Sequence, residues 1–202
     1  MLTKLKKTFQ LWISTEAKLA HKIGLTPNHV SALGIVFAVF SAIIYWRWRS
    51  LQLSLITAPI FLLTSGFCDV LDGAIARIHG ETTTFGKFLD SMLDRYADAI
   101  ILCGVIFGGL CDPFWGFIAL IGSLMVSYAR ARAEALGVEM EAFGVAERAE
   151  RLIILATASF FNIVWSEALY WAVIVLAVLT SLTVLQRAVY FLRASKSREM
   201  NS

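Results

Sequence analysis

The chain has 202 residues, of which 58% are hydrophobic and only 16% are charged, and its mean hydropathy is +0.70. Soluble domains average about 45–50% apolar and about 25% charged residues, so this composition excludes an ordinary soluble domain and predicts an integral membrane protein. The net charge of +3 is too small to indicate a polyanionic partner, and we expect none of the partners to be a nucleic acid.

Residues 1–25 are predicted to form a basic amphipathic helix that lies on the membrane surface. Their apolar residues recur at helical spacing with lysines beside them: Leu2, Leu5, Phe9, Trp12 and Ile13, with Lys4, Lys6 and Lys7. An anionic membrane face attracts such a helix. The segment has no continuous apolar stretch of the length that a cleavable signal peptide needs.

Residues 26–202 are predicted to form one all-α membrane domain with six transmembrane helices. Thr26-Pro27-Asn28 is typical of a helix entry, with proline in the first turn. Six apolar runs follow that are long enough to cross a bilayer. They occupy residues 29–48, 53–78, 85–110, 113–137, 149–165 and 168–193.

The distribution of basic residues predicts the orientation of these spans. Lysines and arginines concentrate before the first span, around the loops after the second and fourth, and after the sixth. The opposite ends have only Arg47 and Arg49. We expect the protein to lie in the cell membrane. Because basic residues favour the cytoplasmic side, both termini and the polar ends of the spans should face the cytoplasm.

Five aspartates follow one another at the polar ends of the second and third spans. Asp69 and Asp72 share one helix face, and Asp90 and Asp94 share a face of the next helix. Joined by a short loop, the two helices should pack antiparallel and bring these four carboxylates together, where a cation must offset their repulsion. Acidic oxygen ligands without histidine or cysteine suit Mg²⁺ or Mn²⁺, and two such ions are usual in phosphoryl chemistry.

The alternative is that the aspartates only form buried ion pairs with Arg77 and Arg95. Two arginines do not balance five aspartates, so this alternative is disfavoured. Asp98, one turn beyond Asp94, is expected to pair with Arg95; otherwise it is an outer acid of the metal site.

The segment from Asp69 to Asp94 matches the pattern D-x₂-D-G-x₂-A-R-x₈-G-x₃-D-x₃-D at every fixed position. By this pattern the chain is identified as a member of the CDP-alcohol phosphotransferase family. The six-span layout and the N-terminal amphipathic helix also resemble that family, so the likeness covers nearly the whole chain.

The resemblance implies an enzyme in which a hydroxyl attacks the β-phosphate of a CDP-lipid and CMP leaves. It implies that Asp69, Asp72, Asp90 and Asp94 bind two divalent ions and that Asp94 is also the general base. It assigns CDP-lipid binding to further positions: Asn28, Asp69, Gly73, Ala76, Arg77 and Gly86. For Asn28, a helix-entry hydrogen bond is an equal alternative. Family relatives are commonly homodimers, which implies a homodimer here.

A group of arginines indicates which alcohol accepts the lipid. Arg130 and Arg132 end the fourth span, Arg148 and Arg151 start the fifth, and Arg187 returns near them in the sixth. So many guanidinium groups beside the acids indicate an acceptor that has its own phosphate. These segments are similar to those of family members that use inositol phosphate, which assigns the acceptor site to Ser127, Arg130, Arg132, Arg151 and Arg187.

Two alternatives remain from the sequence. Glycerol 3-phosphate also brings a phosphate and is the nearest rival acceptor. A cation transporter would also place acids in the membrane, although it predicts acids spread through the depth of the bilayer and repeated halves.

Overall fold

The computed structural model describes residues 13–51, 53–140 and 144–199, with side chains as far as residue 196, and this part of the chain is all-helical. The first helical segment, α1, covers residues 13–22. Six helices follow: α2 (Pro27–Trp46), α3 (Ser54–His79), α4 (Thr84–Phe107), α5 (Pro113–Ala135), α6 (Arg148–Phe161) and α7 (Ala168–Glu199). Most of the apolar residues that predict the amphipathic N-terminal helix lie outside the described residues.

Local sequence signals explain where these helices begin. Thr26 accepts a hydrogen bond from the backbone N–H of His29 at 3.4 Å, and Pro27 occupies the first turn of α2. Thr83 caps α4 in the same way through the N–H of Gly86 at 2.9 Å. α3 ends at Gly80, whose φ of +67° is accessible to glycine without strain.

The α2 helix lies between α3 and α4 and packs along both of them, whereas α3 and α4 make little direct contact. The expectation that α3 and α4 pack directly against each other is therefore wrong. Small residues allow α2 to come so close, because a Cβ added to Gly104 would lie 2.5 Å from the backbone oxygen of Ala42. On the other side of the bundle, α5 packs on α7, and α6 packs on α3 and α7.

At the end of the bundle remote from the aspartates, specific hydrogen bonds join the helices. The Trp48 indole N–H donates to the Gly108 carbonyl at 2.8 Å, and the hydroxyls of Tyr45 and Ser159 lie 2.6 Å apart. Tyr45 and Ser159 are both fully buried. A buried hydroxyl needs such a partner, so these contacts fix how α2, α4 and α6 align.

The described part of α1 is attached to α2 and α3. Ile13, Ala17 and Ala20 are buried in a small apolar cluster that includes Ile75 of α3. His21 adds a hydrogen bond between its Nε2 and Glu81 Oε1 at 3.0 Å. The helix therefore lies across the ends of α2 and α3, next to the acidic segment.

Four described helices are long and apolar enough to cross a membrane, namely α2, α3, α5 and the Ala168–Lys196 part of α7. The third and fifth predicted spans also form helices but do not meet that criterion. α4 has five charged residues among its first fifteen residues, and α6 has only 14 residues. The structure thus confirms an all-α architecture with four candidate membrane spans.

Candidate metal and active site

Three predicted metal ligands converge where α3 ends and α4 begins. Carboxylate oxygens of Asp69, Asp72 and Asp90 all lie within 4.8 Å of one another. Ser31 of α2 donates a hydrogen bond to Asp72 Oδ2 at 2.5 Å, and Asp72 is only 4% exposed. Ser31 therefore fixes one carboxylate of the cluster from the neighbouring helix.

The donor set of this cluster fits a hard divalent cation. All three side chains offer carboxylate oxygens, which Mg²⁺ and Mn²⁺ prefer, and three anionic groups this close repel one another strongly without a cation. The histidines near this end of the bundle have other contacts: the rings of His21 and His79 are stacked at a centroid distance of 3.6 Å, and His29 Nδ1 accepts from the Thr26 backbone N–H at 3.5 Å. The cluster is therefore an acidic oxygen site.

Asp94 lies one turn beyond Asp90. The guanidinium group of Arg148 contacts both Asp94 and Asp69. Nη1 of Arg148 lies 2.5 Å from Asp94 Oδ1 and 2.6 Å from Asp69 Oδ2. Arg95 is more distant, with its Nη1 3.8 Å from Asp94 Oδ2. The fourth predicted acid thus adjoins the cluster and is linked to it by an arginine.

Asp98 pairs with arginines of α6 and not with Arg95, so that expectation is wrong. Its two oxygens accept hydrogen bonds from Arg148 Nε at 3.2 Å and from Arg151 Nη2 at 2.5 Å. Helical side chains lean toward the N-terminus, and Arg95 accordingly reaches back to the Ser91 carbonyl at 2.6 Å. Asp98 instead faces the buried side of α4, where α6 begins.

On the other side of the acids lies an open cavity of about 480 Å³. Its lining includes every residue predicted for CDP-lipid binding except Asp69: Asn28, Gly73, Ala76, Arg77 and Gly86. Asp72 and Asp90 form its boundary with the acidic cluster. The volume lies within the roughly 300–1,000 Å³ that is usual for small-molecule sites.

Gly73 and Gly86 line this cavity and have no side chain that would narrow it. A Cβ on Gly73 would lie 3.2 Å from Arg77 Nη1, and one on Gly86 would lie 2.9 Å from Thr83 Oγ1. The hydrogen bonds at the start of α2 come from Thr26 and His29, and Asn28 is exposed toward the cavity. The alternative of a helix-entry role for Asn28 is therefore disfavoured.

The predicted acceptor residues lie in the C-terminal halves of α5 and α7 and at the start of α6, and they differ in burial. Arg132 is exposed, and Arg130 Nε forms an ion pair with Glu134 Oε1 at 2.8 Å. Arg187 is 3% exposed and donates from Nη1 to the Val126 carbonyl at 2.5 Å, beside Ser127. Arg151 is 4% exposed, and its Nη1 donates to the Ala146 carbonyl at 3.0 Å. Arg151 is therefore buried, in contrast to Arg132.

Arg148 is the site residue that the sequence reasoning missed. It contacts Asp69, Asp94 and Asp98, whereas Arg151 contacts only Asp98 among the five aspartates of α3 and α4. Spacing alone places Arg148 and Arg151 on one face of α6 and does not distinguish them. The depth of each arginine relative to α4 decides which one reaches the cluster.

Comparison with known proteins gives a consistent result over nearly the whole chain. The profile of the CDP-alcohol phosphatidyltransferase family matches residues 24–193. The chain is 40% identical over 200 residues to an archaetidylinositol phosphate synthase of Pyrococcus horikoshii, covering 99% of this chain and 100% of that protein. It is 43% identical over 173 residues to the Methanothermobacter thermautotrophicus protein of that name, covering 85% and 86%.

Solved structures agree with this. The chain resembles the crystal structure of Mycobacterium tuberculosis phosphatidylinositol phosphate synthase with CDP-DAG bound, with a TM-score of 0.77 and 31% identity over 89% of this chain and 92% of that one. It resembles the same protein in complex with manganese and citrate at the same TM-score and identity, over 89% and 88%. From the acidic pattern, the converging carboxylates and these matches, the chain belongs to the CDP-alcohol phosphatidyltransferase family.

Proposed function

We propose that this protein transfers the phospholipid moiety of a CDP-lipid, CDP-archaeol or CDP-diacylglycerol, to a hydroxyl of inositol phosphate. The products are CMP and archaetidyl- or phosphatidylinositol phosphate. The observation that carries this proposal is the position of the acidic cluster. It lies between a cavity large enough for a nucleotide and the group of arginines on α5, α6 and α7.

The cavity beside Arg77 is the proposed CDP site. Arg77 is exposed on its wall, where its guanidinium is positioned to contact a diphosphate oxygen. Gly73, Ala76 and Gly86 present no bulky side chain, so the ligand approaches the backbone of α3 and α4 closely. The matched M. tuberculosis structure with CDP-DAG supports this assignment by similarity.

We assign two divalent ions, Mg²⁺ or Mn²⁺, to Asp69, Asp72, Asp90 and Asp94. Bound there, such ions supply neutralisation of the diphosphate charge while the bond to CMP breaks. Ser31 holds the Asp72 carboxylate in place during this step. The relative in complex with manganese is consistent with a divalent metal in this family.

Asp94 is the proposed general base. It accepts the proton of the inositol hydroxyl as the hydroxyl oxygen bonds to the β-phosphorus, and the bond from that phosphorus to the CMP oxygen breaks. Asp94 adjoins both the cluster, through its shared contact with Asp69, and the start of α6. Of the four acids assigned to the metal ions, only Asp69 and Asp94 contact Arg148, and Asp94 is thus on the side from which the acceptor would enter.

The phosphate of the acceptor is assigned to the arginine-rich side of the site. Arg132 is exposed there. Arg130 and Arg151 lie close enough to Arg187 for their positive charges to interact with its guanidinium group. Ser127 adds a hydroxyl donor next to the carbonyl that holds Arg187. Converging guanidinium groups bind a phosphate in preference to a neutral alcohol.

We further propose a six-span topology with both termini and the site at the cytoplasmic face. α4 is about 36 Å long at 1.5 Å per residue, which is enough to span. Its charged residues lie at the site end, where the basic residues of the loops also concentrate, whereas Arg47 and Arg49 mark the opposite end. A homodimer is proposed from the family resemblance.

Release of CMP by the purified protein with Mg²⁺ or Mn²⁺ tests the proposed function. CDP-archaeol and CDP-diacylglycerol are each offered with inositol phosphate, glycerol 3-phosphate, free inositol or serine. Release that requires inositol phosphate supports the proposal, and an Asp69→Asn variant supplies the inactive control. Release with glycerol 3-phosphate alone would overturn the acceptor, and release with none would overturn the reaction.

A further inference from the structure

The guanidinium of Arg148 lies inside the acidic site and not at its edge. Its Nη1 is 2.6 Å from Asp69 Oδ2 and 2.5 Å from Asp94 Oδ1, and its Nε is 3.2 Å from Asp98 Oδ1. The side chain is 18% exposed. Of the described arginines, this one contacts three separate carboxylates.

The contacts of Nη1 are those of a positive charge placed between two anions. This nitrogen is buried and makes no well-directed hydrogen bond, although two carboxylate oxygens lie within 2.6 Å of it. The Nε contact with Asp98, in contrast, has hydrogen-bond geometry. Arg148 is thus anchored at Nε, while Nη1 acts as a counter-ion.

Asp69 belongs both to this arrangement and to the cluster with Asp72 and Asp90. A divalent cation held by oxygens of both Asp69 and Asp94 would need the space between these carboxylates, which is where Nη1 now lies. Two cations do not share that space, because both their charges and their volumes exclude each other. Metal at this position and the present position of Nη1 are therefore alternatives.

We propose that Arg148 is a built-in competitor for divalent metal, a displaceable internal counter-ion that neutralises Asp69 and Asp94 when no metal is bound. This inference rests on the proposed function, because it uses the assignment of metal to these acids. Binding of the metal moves Nη1 away from Asp69 and Asp94, while Asp98 keeps its hold on Nε. The displaced Nη1 is then a donor on the acceptor side of the site, next to Arg151.

Mn²⁺ binding to the purified protein, measured by electron paramagnetic resonance without substrate, tests the proposal. Removal of the competing charge in Arg148→Gln is expected to tighten Mn²⁺ binding by about 5- to 150-fold, the usual range for coupled sites. The matched control is Arg47→Gln, which removes the same charge from an exposed residue at the far end of the bundle, where Arg47 lies over the Trp46 ring. It should bind Mn²⁺ as the wild type does.

A second measurement uses the wild-type protein and so does not depend on the folding of a variant. Phenylglyoxal modification of each arginine is mapped by mass spectrometry with and without Mn²⁺. Modification of Arg148 should increase when Mn²⁺ is present, because Nη1 leaves its two carboxylates, while that of Arg47 at the far end stays constant. Modification that stays equal or falls upon Mn²⁺ binding would overturn the proposal.

The outcomes separate this inference from the proposed function. Equal Mn²⁺ affinity of the wild type and Arg148→Gln would overturn the role of Arg148 and leave the metal site intact. Absence of Mn²⁺ binding by both proteins would overturn the metal site itself, and the inference with it. Tighter Mn²⁺ binding by Arg148→Gln, with unchanged binding by the control variant, supports both the metal site and the role of Arg148.

Discussion

Asp98→Asn removes the negative charge that holds two arginines of α6, the buried Arg151 and the partly buried Arg148. Asp98 is 9% exposed and accepts hydrogen bonds from Arg148 at 3.2 Å and Arg151 at 2.5 Å. Loss of one partner of a buried ion pair costs about 3–5 kcal/mol, because the remaining charge stays in a poorly solvated place. Asparagine keeps the shape of the side chain, so the change is mainly one of charge.

Glu134→Gln is the matched control for this change. It also removes one carboxylate charge from an arginine pair, but Arg130 and Glu134 are 39% and 42% exposed. An exposed pair contributes about 0–1 kcal/mol, since water replaces the lost partner. The two variants therefore differ in burial and not in chemistry.

Thermal unfolding in detergent measures both effects, with a thiol-reactive dye that reports exposure of the buried thiols of Cys68 and Cys111. At about 2–4 °C of Tm per kcal/mol for a chain of this size, Asp98→Asn should lower Tm by about 6–20 °C. Glu134→Gln should lower it by no more than about 4 °C. Equal shifts for the two variants would refute the reasoning that burial decides the worth of these ion pairs.

Three further predictions concern the base, the acceptor and the packing of the bundle. Asp94→Asn should retain CDP-lipid binding and lose turnover by about 10²–10⁴-fold, the usual contribution of a general base; near-normal CMP release would contradict the assignment. Arg132→Ala should raise the KM for inositol phosphate with little change in kcat, as steady-state CMP release will show; an unchanged KM would place the acceptor phosphate elsewhere. Gly104→Ala puts a Cβ 2.5 Å from the Ala42 backbone oxygen and should lower stability by about 1–3 kcal/mol. Gly66→Ala, which meets only the Leu152 methyl at 2.7 Å, should lower it less, and Tm compares the two.

The sequence alone predicted the convergence of the acids, because that depends on short-range spacing. Asp69 and Asp72 are three residues apart, Asp90 follows a short loop, and a helical period brings such residues to one place. The helix entries at Thr26 and Thr83 also follow from local capping chemistry. The short loop after α3 keeps the acidic ends of α3 and α4 close together, so the convergence of the acids holds although the two helices make little direct contact.

What the sequence did not predict depends on packing between distant helices. The pairing of Asp98 with Arg148 and Arg151 joins residues about fifty positions apart, and it depends on how deeply α6 lies beside α4. The position of α2 between α3 and α4 depends on the close approach at Gly104 and Ala42. Hydropathy likewise does not show that the fifth apolar run has only 14 helical residues.

The shortness of α6 has a consequence for how a water-soluble and a lipid substrate meet. Fourteen residues span about 21 Å, whereas the hydrocarbon core of a bilayer is about 30 Å thick. Beyond its far end, exposed Ile163, Val164 and Trp165 extend the apolar surface, so the mismatch falls at the Arg148 end. If α6 crosses the bilayer as proposed, local thinning of the bilayer would bring polar headgroups and water toward Arg148, which is one way in which a bilayer accommodates a short span. In that topology the aqueous boundary would lie at the depth of the acids, so that a lipid diphosphate would reach them while its tails stay in the hydrocarbon.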